Sequence, residues 1–360
     1  MKILIPYFMI GGLRIEDSKV AGGIEMFLRK FNQYIDNVVL LPITTEERRS
    51  WKKVFDKVAI GISIHKPDII MANYASSTLS FKLQENFSIP GMWVCHQIAG
   101  TLSSVGIIHK MNRFIENGGS LFMVSKYQYD AWNALSKRIC KKELKISGYI
   151  TPSVVDKLPK IDYNDKIIDC GTIGRGNLDK HPFLLHERLI SRENLSSLVI
   201  SNQEDMDYFN KNTHWHPPKY TMWNVPHDDL MREISFCKTF LTTWVDETFG
   251  IVSLEALSMG IPVILNSKNN AHASECIPAD SSHFIKVSHK KSDKQQTIDA
   301  IEFLSKYDKY KRKEIAEKTF AKHNPDAWKK HIYNSIQLTI ENYKPIDKKL
   351  NNDLMEFFND

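Results

Sequence analysis

One sequence pattern recurs along most of the chain and constrains its fold more than any other feature. In this pattern a short apolar run is followed by a turn and then by a segment with the apolar spacing of a helix. In the first half the apolar runs are Lys2–Phe8, Val38–Pro42, Asp68–Ala72, Met92–His96 and Leu121–Val124. Continuous rather than alternating apolar runs are typical of strands buried on both faces, as in a parallel sheet covered by helices. The sequence therefore predicts an α/β fold.

The pattern is interrupted once and then resumes. The break is the segment "TPSVVDKLPKIDYNDK", Thr151–Lys166, whose prolines and mixed charges are typical of a linker. The later apolar runs are Lys166–Thr172, Ser197–Ser201, Lys219–Met222, Lys238–Thr242 and Ile261–Asn266. A chain of 360 residues is also too long for one ordinary core. We expect two doubly wound Rossmann-like domains, 1–155 and 166–325, with a C-terminal helix and tail over 326–360 that pack back across the domains.

Composition excludes several classes of protein. With 42% hydrophobic and 25% charged residues the chain is predicted to fold as a globular protein. The apolar start, Met1–Met9, is too short to span a membrane and lacks a signal cleavage site, so we expect a soluble, cytoplasmic protein. The five cysteines are odd in number and have no Cys-x-x-Cys spacing, which argues against a disulfide framework and a zinc site. The net charge of +6 is compatible with a polyanionic partner but does not require one.

The segment "DETFGIVSLEALSMGIPVI", Asp246–Ile264, carries an acid on each side of a predicted helix start. A helix that begins near Phe249–Ile251 would direct its free N–H groups and positive dipole end at an anion, most commonly a phosphate. Glu247 and Glu255 would then accept hydrogen bonds from hydroxyls on either side of that phosphate. A sugar nucleotide has hydroxyls in those two places, with the sugar toward Glu247 and the ribose toward Glu255.

The segment around Glu247 and Glu255 resembles the signature of a known enzyme family. Glu247, seven intervening residues and Glu255, followed by "ALSMGIPV", resemble the E-x7-E signature of retaining glycosyltransferases of family four, which have the two-domain GT-B fold. The segments "AGGIE", "FMVSKY", "TPSVVD" and "TIGRGNLDKH" are similar to the family's other elements and stand in the family's order. The resemblance implies two Rossmann-like domains that face each other across a cleft, the first binding the acceptor and the second the nucleotide-sugar donor.

The resemblance also implies roles for individual residues. Arg175 and Lys180 would neutralise the leaving diphosphate, and His96 would face the transferred sugar. The remaining donor-binding residues would be Gly22 and Gly23 in the first domain and Glu247, Thr248, Phe249, Gly250, Ile251 and Glu255 in the second. The chain departs from the family at "VISNQED", where a glycine-bearing loop is usual, and at "LNSKNNAHASE", where a small-residue turn is usual.

Each of these residues also has an ordinary structural interpretation. Glu247 and Glu255 can be solvated acids, Arg175 and Lys180 a surface pair, and His96 a histidine that ends a strand. Gly22 and Gly23 can form a simple turn. The glycines of "GTIGRG" do not have the dinucleotide-binding spacing, and the His-x-His pair of "HWHPPKY" has no acidic or cysteine partner nearby, so no metal site is predicted.

The reaction that the resemblance implies is transfer of a sugar from a UDP-sugar to an acceptor hydroxyl, with the anomeric configuration retained. No metal and no cofactor beyond the nucleotide-sugar co-substrate are expected, because cationic side chains and a helix start can replace a metal at the diphosphate. A nucleotide-sugar epimerase and a non-catalytic binding protein remain alternatives.

The sequence leaves two alternatives for the acceptor. Our first hypothesis is a hydroxymethylated pyrimidine in double-stranded DNA, by a loose resemblance to bacteriophage DNA glucosyltransferases acting in the host cytoplasm. The candidate contacts are Arg48, Arg49, Trp51, Lys52, Lys53 and the run His109–Arg113. The alternative is a surface glycan or glycolipid, reached through a basic amphipathic helix over Glu46–Lys66 that lies on a membrane.

Overall fold

The computed structural model divides the chain into two compact units. The N-terminal unit comprises Met1–Ser153 together with Trp328–Asp360, and the C-terminal unit comprises Val154–Ala327. The structure describes residues 1–9, 23–73, 88–97, 99, 103–158, 161–174, 195–201, 220–223, 227–242, 249–266, 284–287 and 294–344. No helix within these ranges is long and apolar enough to cross a membrane.

The N-terminal unit is built on a six-stranded parallel sheet of order β2-β1-β3-β4-β5-β6. Its strands are β1 (Ile3–Phe8), β2 (Val38–Ile43), β3 (Ile69–Asn73), β4 (Gly91–Cys95), β5 (Ser120–Met123) and β6 (Gly148–Tyr149). The central strands are buried on both faces, and every residue of β4 and β5 is inaccessible or nearly so. This burial explains why their sequences are continuous apolar runs.

Five described helices belong wholly to this unit: α1 (Gly23–Tyr34), α2 (Thr45–Arg48), α3 (Trp51–His65), α4 (Ser103–Glu116) and α5 (Lys126–Ile139). Side chains fix three of their starts. Thr44 and Glu47 form a capping box at α2, Ser50 caps α3, and Ser125 caps α5. Each cap satisfies N–H groups that the first helical turn leaves without a partner.

The C-terminal unit has a second six-stranded parallel sheet, of order β12-β11-β10-β7-β8-β9. Its strands are β7 (Ile168–Ile173), β8 (Ser197–Ser201), β9 (Tyr220–Trp223), β10 (Cys237–Leu241), β11 (Val263–Asn266) and β12 (Phe284–Val287). This is the doubly wound strand order of dinucleotide-binding domains. Its described helices are α6 (His227–Ile234), α7 (Ile251–Ser258), α8 (Lys294–Ser305) and α9 (Lys309–His323).

The last described helix, α10 (Pro325–Asn342), follows α9 after a single residue. Asn324 is extended, and its side-chain Oδ1 accepts a hydrogen bond from Ala327 N at 2.9 Å, so it ends one helix and caps the next. From Trp328 onward the helix packs in the N-terminal unit: the indole Nε1 donates to Thr151 O at 2.9 Å, and the ring meets Phe27 and Phe31 edge to face. Asn324 therefore separates α9 from α10.

The fold class predicted from the sequence is confirmed: two doubly wound parallel sheets with C-terminal helices. All ten predicted strands are present, with ends that differ by at most two residues. The sequence interpretation missed β6 and β12, which are both edge strands. The facing of the two domains across a cleft stays a prediction.

Candidate functional site

In the C-terminal unit the strand order places a crevice at the carboxyl ends of β7 and β10. These strands are parallel neighbours, with Phe240 opposite Gly171, and the chain leaves them in opposite directions along the sheet. Open α/β sheets bind ligands at such a switch point. The segment that follows β7 contains Arg175 and Lys180, and the segment that follows β10 contains Glu247 and Thr248. These four residues lie outside the described ranges, so their roles stay predictions.

The carboxyl end of β7 is tied to its neighbour β8. Gly174 N donates to Ile200 O at 3.1 Å, and Ser201 Oγ donates to Gly174 O at 2.7 Å. Ser201 lies in the segment "VISNQED", where the family resemblance predicts a glycine-bearing loop. Its hydroxyl therefore fixes the point from which the Arg175 segment leaves the sheet.

Helix α7 begins as predicted, and its first residue is preceded by an unusual cap. Gly250 adopts the left-handed conformation, with φ 75° and ψ 58°, and makes no side-chain cap hydrogen bond. Ser253 N donates to Gly250 O at 3.0 Å, so the helical ladder starts there. Because glycine has no side chain to cap the helix, the N–H groups of Ile251 and Val252 are presented at the helix start, where the dipole also favours an anion.

Packing holds α7 firmly in place. Leu254, Ala256 and Leu257 are buried, and Phe249, just before the helix, is only 5% exposed. Glu255, in the second turn, is partly buried. A rigid helix can hold an anion without reorganising when the anion arrives, which is the property that electrostatic catalysis requires.

In the N-terminal unit, His96 follows β4 directly, at the carboxyl edge of the sheet. Its ring lies 5.2 Å from the ring of Phe27 on α1. Its Nε2 atom is inaccessible to solvent and has no hydrogen-bond partner in the described part of the protein. Burial lowers the pKa of His96 to about 4, so the imidazole is neutral near pH 7. A neutral ring can hydrogen-bond a sugar hydroxyl but adds no positive charge to the site.

A buried amide positions the loop that carries His96. Gln128 Nε2 donates to Cys95 O at 2.9 Å and to Gln97 O at 2.7 Å, while Trp132 Nε1 donates to Gln97 O at 2.9 Å. The carbonyls on both sides of His96 are thereby fixed. The sequence interpretation missed Gln128, although Ser125 and Gln128 have the capping-box spacing that marks a helix start.

The glycine loop of the first domain is described only from Gly23, which is the first residue of α1. Gly22 lies outside the described ranges. The predicted approach of this loop to a ligand therefore stays a prediction.

The candidate DNA contacts divide into two groups. Arg48, the last residue of α2, and Arg49, which follows it, are both exposed. They lie just beyond the carboxyl end of β2. The Arg48 guanidinium is 5.0 Å from the centre of the ring of Phe8, the last residue of β1. Lys52 and Lys53 begin α3 beside them and are also exposed. These residues, defined here as the basic edge cluster, lie at the same edge of the sheet as His96. The Trp51 side chain lies outside the described ones.

In the second group, His109–Arg113, the structure corrects the prediction for two residues. Met111 and Asn112 are buried, with exposures of 0% and 6%, and Asn112 Nδ2 donates to Ser136 Oγ at 3.0 Å. The run therefore buries Met111 and Asn112, whereas its basic side chains, His109, Lys110 and Arg113, are exposed or partly exposed. Its position in the second half of α4 also takes it away from the carboxyl edge, because α4 starts at that edge and runs back.

The neutral state of His96 predicts a pH-dependent stability. The unfolded chain binds a proton on this ring below its ordinary pKa of 6.5, whereas the folded protein does so only near 4. The contribution of the neutral ring is thus complete above pH 6.5 and is lost as the pH falls toward 4, by no more than about 1.4 kcal/mol per pH unit. We expect His96→Gln to remove this dependence in denaturant unfolding at pH 7, 5.5 and 4.5. The exposed His109→Gln is the control, and an unchanged slope in His96→Gln would contradict the assignment.

Comparison with known proteins defines the fold more closely. A scan of protein-family models found no match, and neither did a search of curated proteins. Among solved structures, the chain is similar to sucrose-phosphate synthase from Thermosynechococcus elongatus, with a TM-score of 0.73 and 13% identity over 94% of this chain and 98% of that chain.

Two further similar structures are the trehalose-6-phosphate synthase OtsA and the lipopolysaccharide outer core galactosyltransferase WaaB. The first has a TM-score of 0.68 and 9% identity, over 94% of this chain and 99% of that one. The second has a TM-score of 0.61 and 13% identity, over 93% and 99%. At these identities the likeness shows the fold, which is the GT-B fold of these glycosyltransferases.

Proposed function

We propose that this protein is a retaining glycosyltransferase that moves a sugar from a UDP-sugar to an acceptor hydroxyl. The observation that carries the proposal is the start of α7, where a left-handed glycine without a side-chain cap presents backbone N–H groups at the switch point of a doubly wound sheet. Such a helix start binds a diphosphate. The GT-B fold supports the assignment, and so does the similarity to a trehalose-6-phosphate synthase described as transferring glycosyl groups with retention.

In the proposed reaction the bond between the anomeric carbon and the β-phosphate oxygen breaks, and the acceptor oxygen forms the new bond on the same face of the sugar. The departing UDP gains negative charge, which the N–H groups of α7 together with Arg175 and Lys180 stabilise. The acceptor proton passes to the departing phosphate. Glu247 holds the sugar, Glu255 the ribose, and neutral His96 a sugar hydroxyl. Neither a metal nor another cofactor takes part.

The test of this reaction offers several radiolabelled UDP-sugars together with candidate acceptors and follows the label into product. The anomeric configuration of the product, read by NMR, distinguishes retention from inversion. Conversion of the UDP-sugar to its epimer in the absence of any acceptor would instead favour an epimerase. Full biological activity in Glu247→Ala would favour a non-catalytic binding protein.

For the acceptor, we propose a hydroxymethylated pyrimidine in double-stranded DNA, glycosylated in the cytoplasm. The basic edge cluster supports this choice, because its exposed cations lie at the sheet edge that also carries His96. Protein cations at phosphates give binding a strong salt dependence. No residue of the cluster reads a base in this proposal; the cluster only holds the backbone.

The basic edge cluster yields a direct prediction. We expect the triple variant Arg48→Ser, Arg49→Ser, Lys52→Ser to weaken DNA binding and to reduce the slope of log K against log salt by up to about 2.7, about 0.9 per lost phosphate contact. The charge-matched control is Lys313→Ser, Lys318→Ser, Lys322→Ser on α9 of the other unit. Equal slopes for the cluster variant and the wild type would exclude the cluster as a DNA contact.

A glycan or glycolipid acceptor at a membrane surface is the second candidate, and one observation favours it. On α3, Ile60 and Ile64 are 59% and 67% exposed and lie one turn apart. The helix therefore has a solvent-exposed apolar patch that follows the basic residues at its start. Co-sedimentation with anionic vesicles distinguishes the candidates. Binding that is lost in Ile60→Ser, Ile64→Ser would favour the membrane surface over DNA.

A further inference from the structure

The C-terminal unit contains a second concave site, at the edge of its sheet opposite the proposed donor site. We call it the amino-edge pocket; it is a cavity of about 430 Å³ whose charged and aromatic lining includes Tyr163, Lys166, Lys238, Lys309, Tyr310 and Arg312. Lys166 precedes β7 and Lys238 is the second residue of β10, which places the pocket where these strands begin. A strand of five or six residues separates it from the carboxyl edge by about 15–20 Å.

Positive charge dominates this pocket. Four of its lining residues are cationic and one, Asp308, is acidic. Lys238 is paired with Asp169 at 2.7 Å. The carboxylate of Asp308 is engaged as the cap of α9, where it accepts a hydrogen bond from Lys311 N at 2.8 Å. Asp308 also stabilises the charge of Arg312, so four cations share the lining with this one acid.

Arg312 is a buried cation held by main-chain carbonyls. It is 2% exposed, and it donates to Lys238 O at 2.7 Å, to Tyr307 O at 3.0 Å and to Ser305 O at 3.5 Å. All three acceptors found among the described residues are uncharged carbonyl oxygens. They orient the guanidinium but do not neutralise its charge. A guanidinium has five N–H groups, so two remain for another acceptor.

Lys166 lies near Arg312 and carries a second buried charge. It is 9% exposed, and its Nζ donates to Ser235 O. Burial, and then repulsion from Arg312, lower the pKa of Lys166 to about 8. Burial likewise lowers the pKa of Arg312 to about 10. Two neighbouring buried cations, one of which destabilises the charge of the other, form a site that an anion would stabilise.

We propose that the amino-edge pocket binds a small phosphate ester, with its phosphoryl group among Lys166, Lys309 and Arg312 and its organic part against the tyrosine rings. The cavity has the volume of a small-molecule site. Tyr310 is 72% exposed at its rim, and Lys309 Nζ lies 5.3 Å from the Tyr310 ring centroid, so a cation and an aromatic face stand side by side. The inference is independent of the proposed function, because none of these residues lies at the carboxyl edge.

Calorimetric titration of the whole protein tests this site. The probes are a hexose 6-phosphate, a nucleoside 5′-monophosphate and the unphosphorylated hexose, and the two esters distinguish a sugar from a nucleoside as the organic part. We expect at least one ester to bind, the free hexose not to bind at this site, and Lys166→Met to weaken ester binding at least tenfold. Lys313→Met is the matched control, because Lys313 lies on α9 next to Arg312 but is paired with Glu317 outside the pocket.

Three results would overturn the proposal: no binding of either ester, equal affinity in Lys166→Met and wild type, or an equal loss in Lys313→Met. If Lys166→Met fails to fold, as judged by circular dichroism, Lys309→Met replaces it, because Lys309 is exposed and starts a helix. Weakened binding in Lys309→Met then supports the pocket, and unchanged binding overturns it.

Proton uptake gives a second readout that a general charge effect would not reproduce. Sulfate does not titrate near pH 8, so protons taken up when it binds belong to the protein. The charged or titratable groups that act on Lys166 are Arg312 on α9, Cys237 on β10 and the adjacent Asp165. An anion beside Lys166 raises its pKa, and we expect uptake of up to about half a proton at pH 8. The uptake should vanish in Lys166→Met; its persistence there would place the anion elsewhere.

Discussion

Replacing Gly250 by valine is expected to lower kcat/KM for sugar transfer by about 100-fold and to raise the Kd for UDP by about tenfold. Gly250 has φ 75°, a conformation that costs a residue with a Cβ about 1–2 kcal/mol and a β-branched residue more. The strain would turn the helix start away from its present direction. The loss is larger for transfer than for UDP binding because, in the proposed reaction, the departing UDP gains negative charge in the transition state.

Gly106→Val is the control for this substitution. Gly106 lies in α4 of the other unit, and a Cβ added there meets no atom within 4 Å. Steady-state kinetics and UDP titration of both variants are compared after each is shown to be folded. Wild-type transfer by a folded Gly250→Val protein would mean that the start of α7 does not hold the diphosphate.

Gly260→Ala is expected to destabilise the C-terminal unit by about 3 kcal/mol or more. Gly260 follows α7 with φ 70°, and an added Cβ would lie 2.4 Å from Arg312 O and 2.7 Å from Tyr163 Cε1. Backbone strain and overpacking therefore add, and the carbonyl cannot move without displacing α9. Thermal unfolding measures the change.

The control for Gly260→Ala is Gly148→Ala in β6. There an added Cβ makes ordinary contacts of 3.6 Å or more with Phe122. We expect the control to change stability little. A Tm of Gly260→Ala within about one degree of the wild type would show that the backbone around α7 can relax, contrary to the rigid helix inferred here.

Strand positions could be predicted largely from the sequence because the buried strands of a parallel sheet are continuous apolar runs. The two missed strands show the limit of that signal. β6 has only two residues, and β12 is a short apolar stretch, "FIKV", among polar residues. Strand order could not be predicted from apolar pattern, because β7 pairs with β10 across some 70 residues and nothing local in the sequence specifies that pairing.

The candidate site was only partly predictable. The start of α7 follows from the apolar run and the glycine, but the left-handed backbone of Gly250 and the burial of His96 Nε2 are properties of the folded chain. The amino-edge pocket gave no sequence signal at all, since its residues are scattered between positions 163 and 312 and meet only through the sheet. Glu247, Arg175 and Lys180 remain predictions from sequence.

The most direct test of the proposed donor site is a crystal structure of the protein with UDP bound. We predict that diphosphate oxygens lie within hydrogen-bond distance of the backbone N atoms of Ile251 and Val252, with the ribose hydroxyls toward Glu255. A nucleotide whose diphosphate lies away from α7, in the amino-edge pocket or anywhere else on the chain, would contradict the proposed donor site.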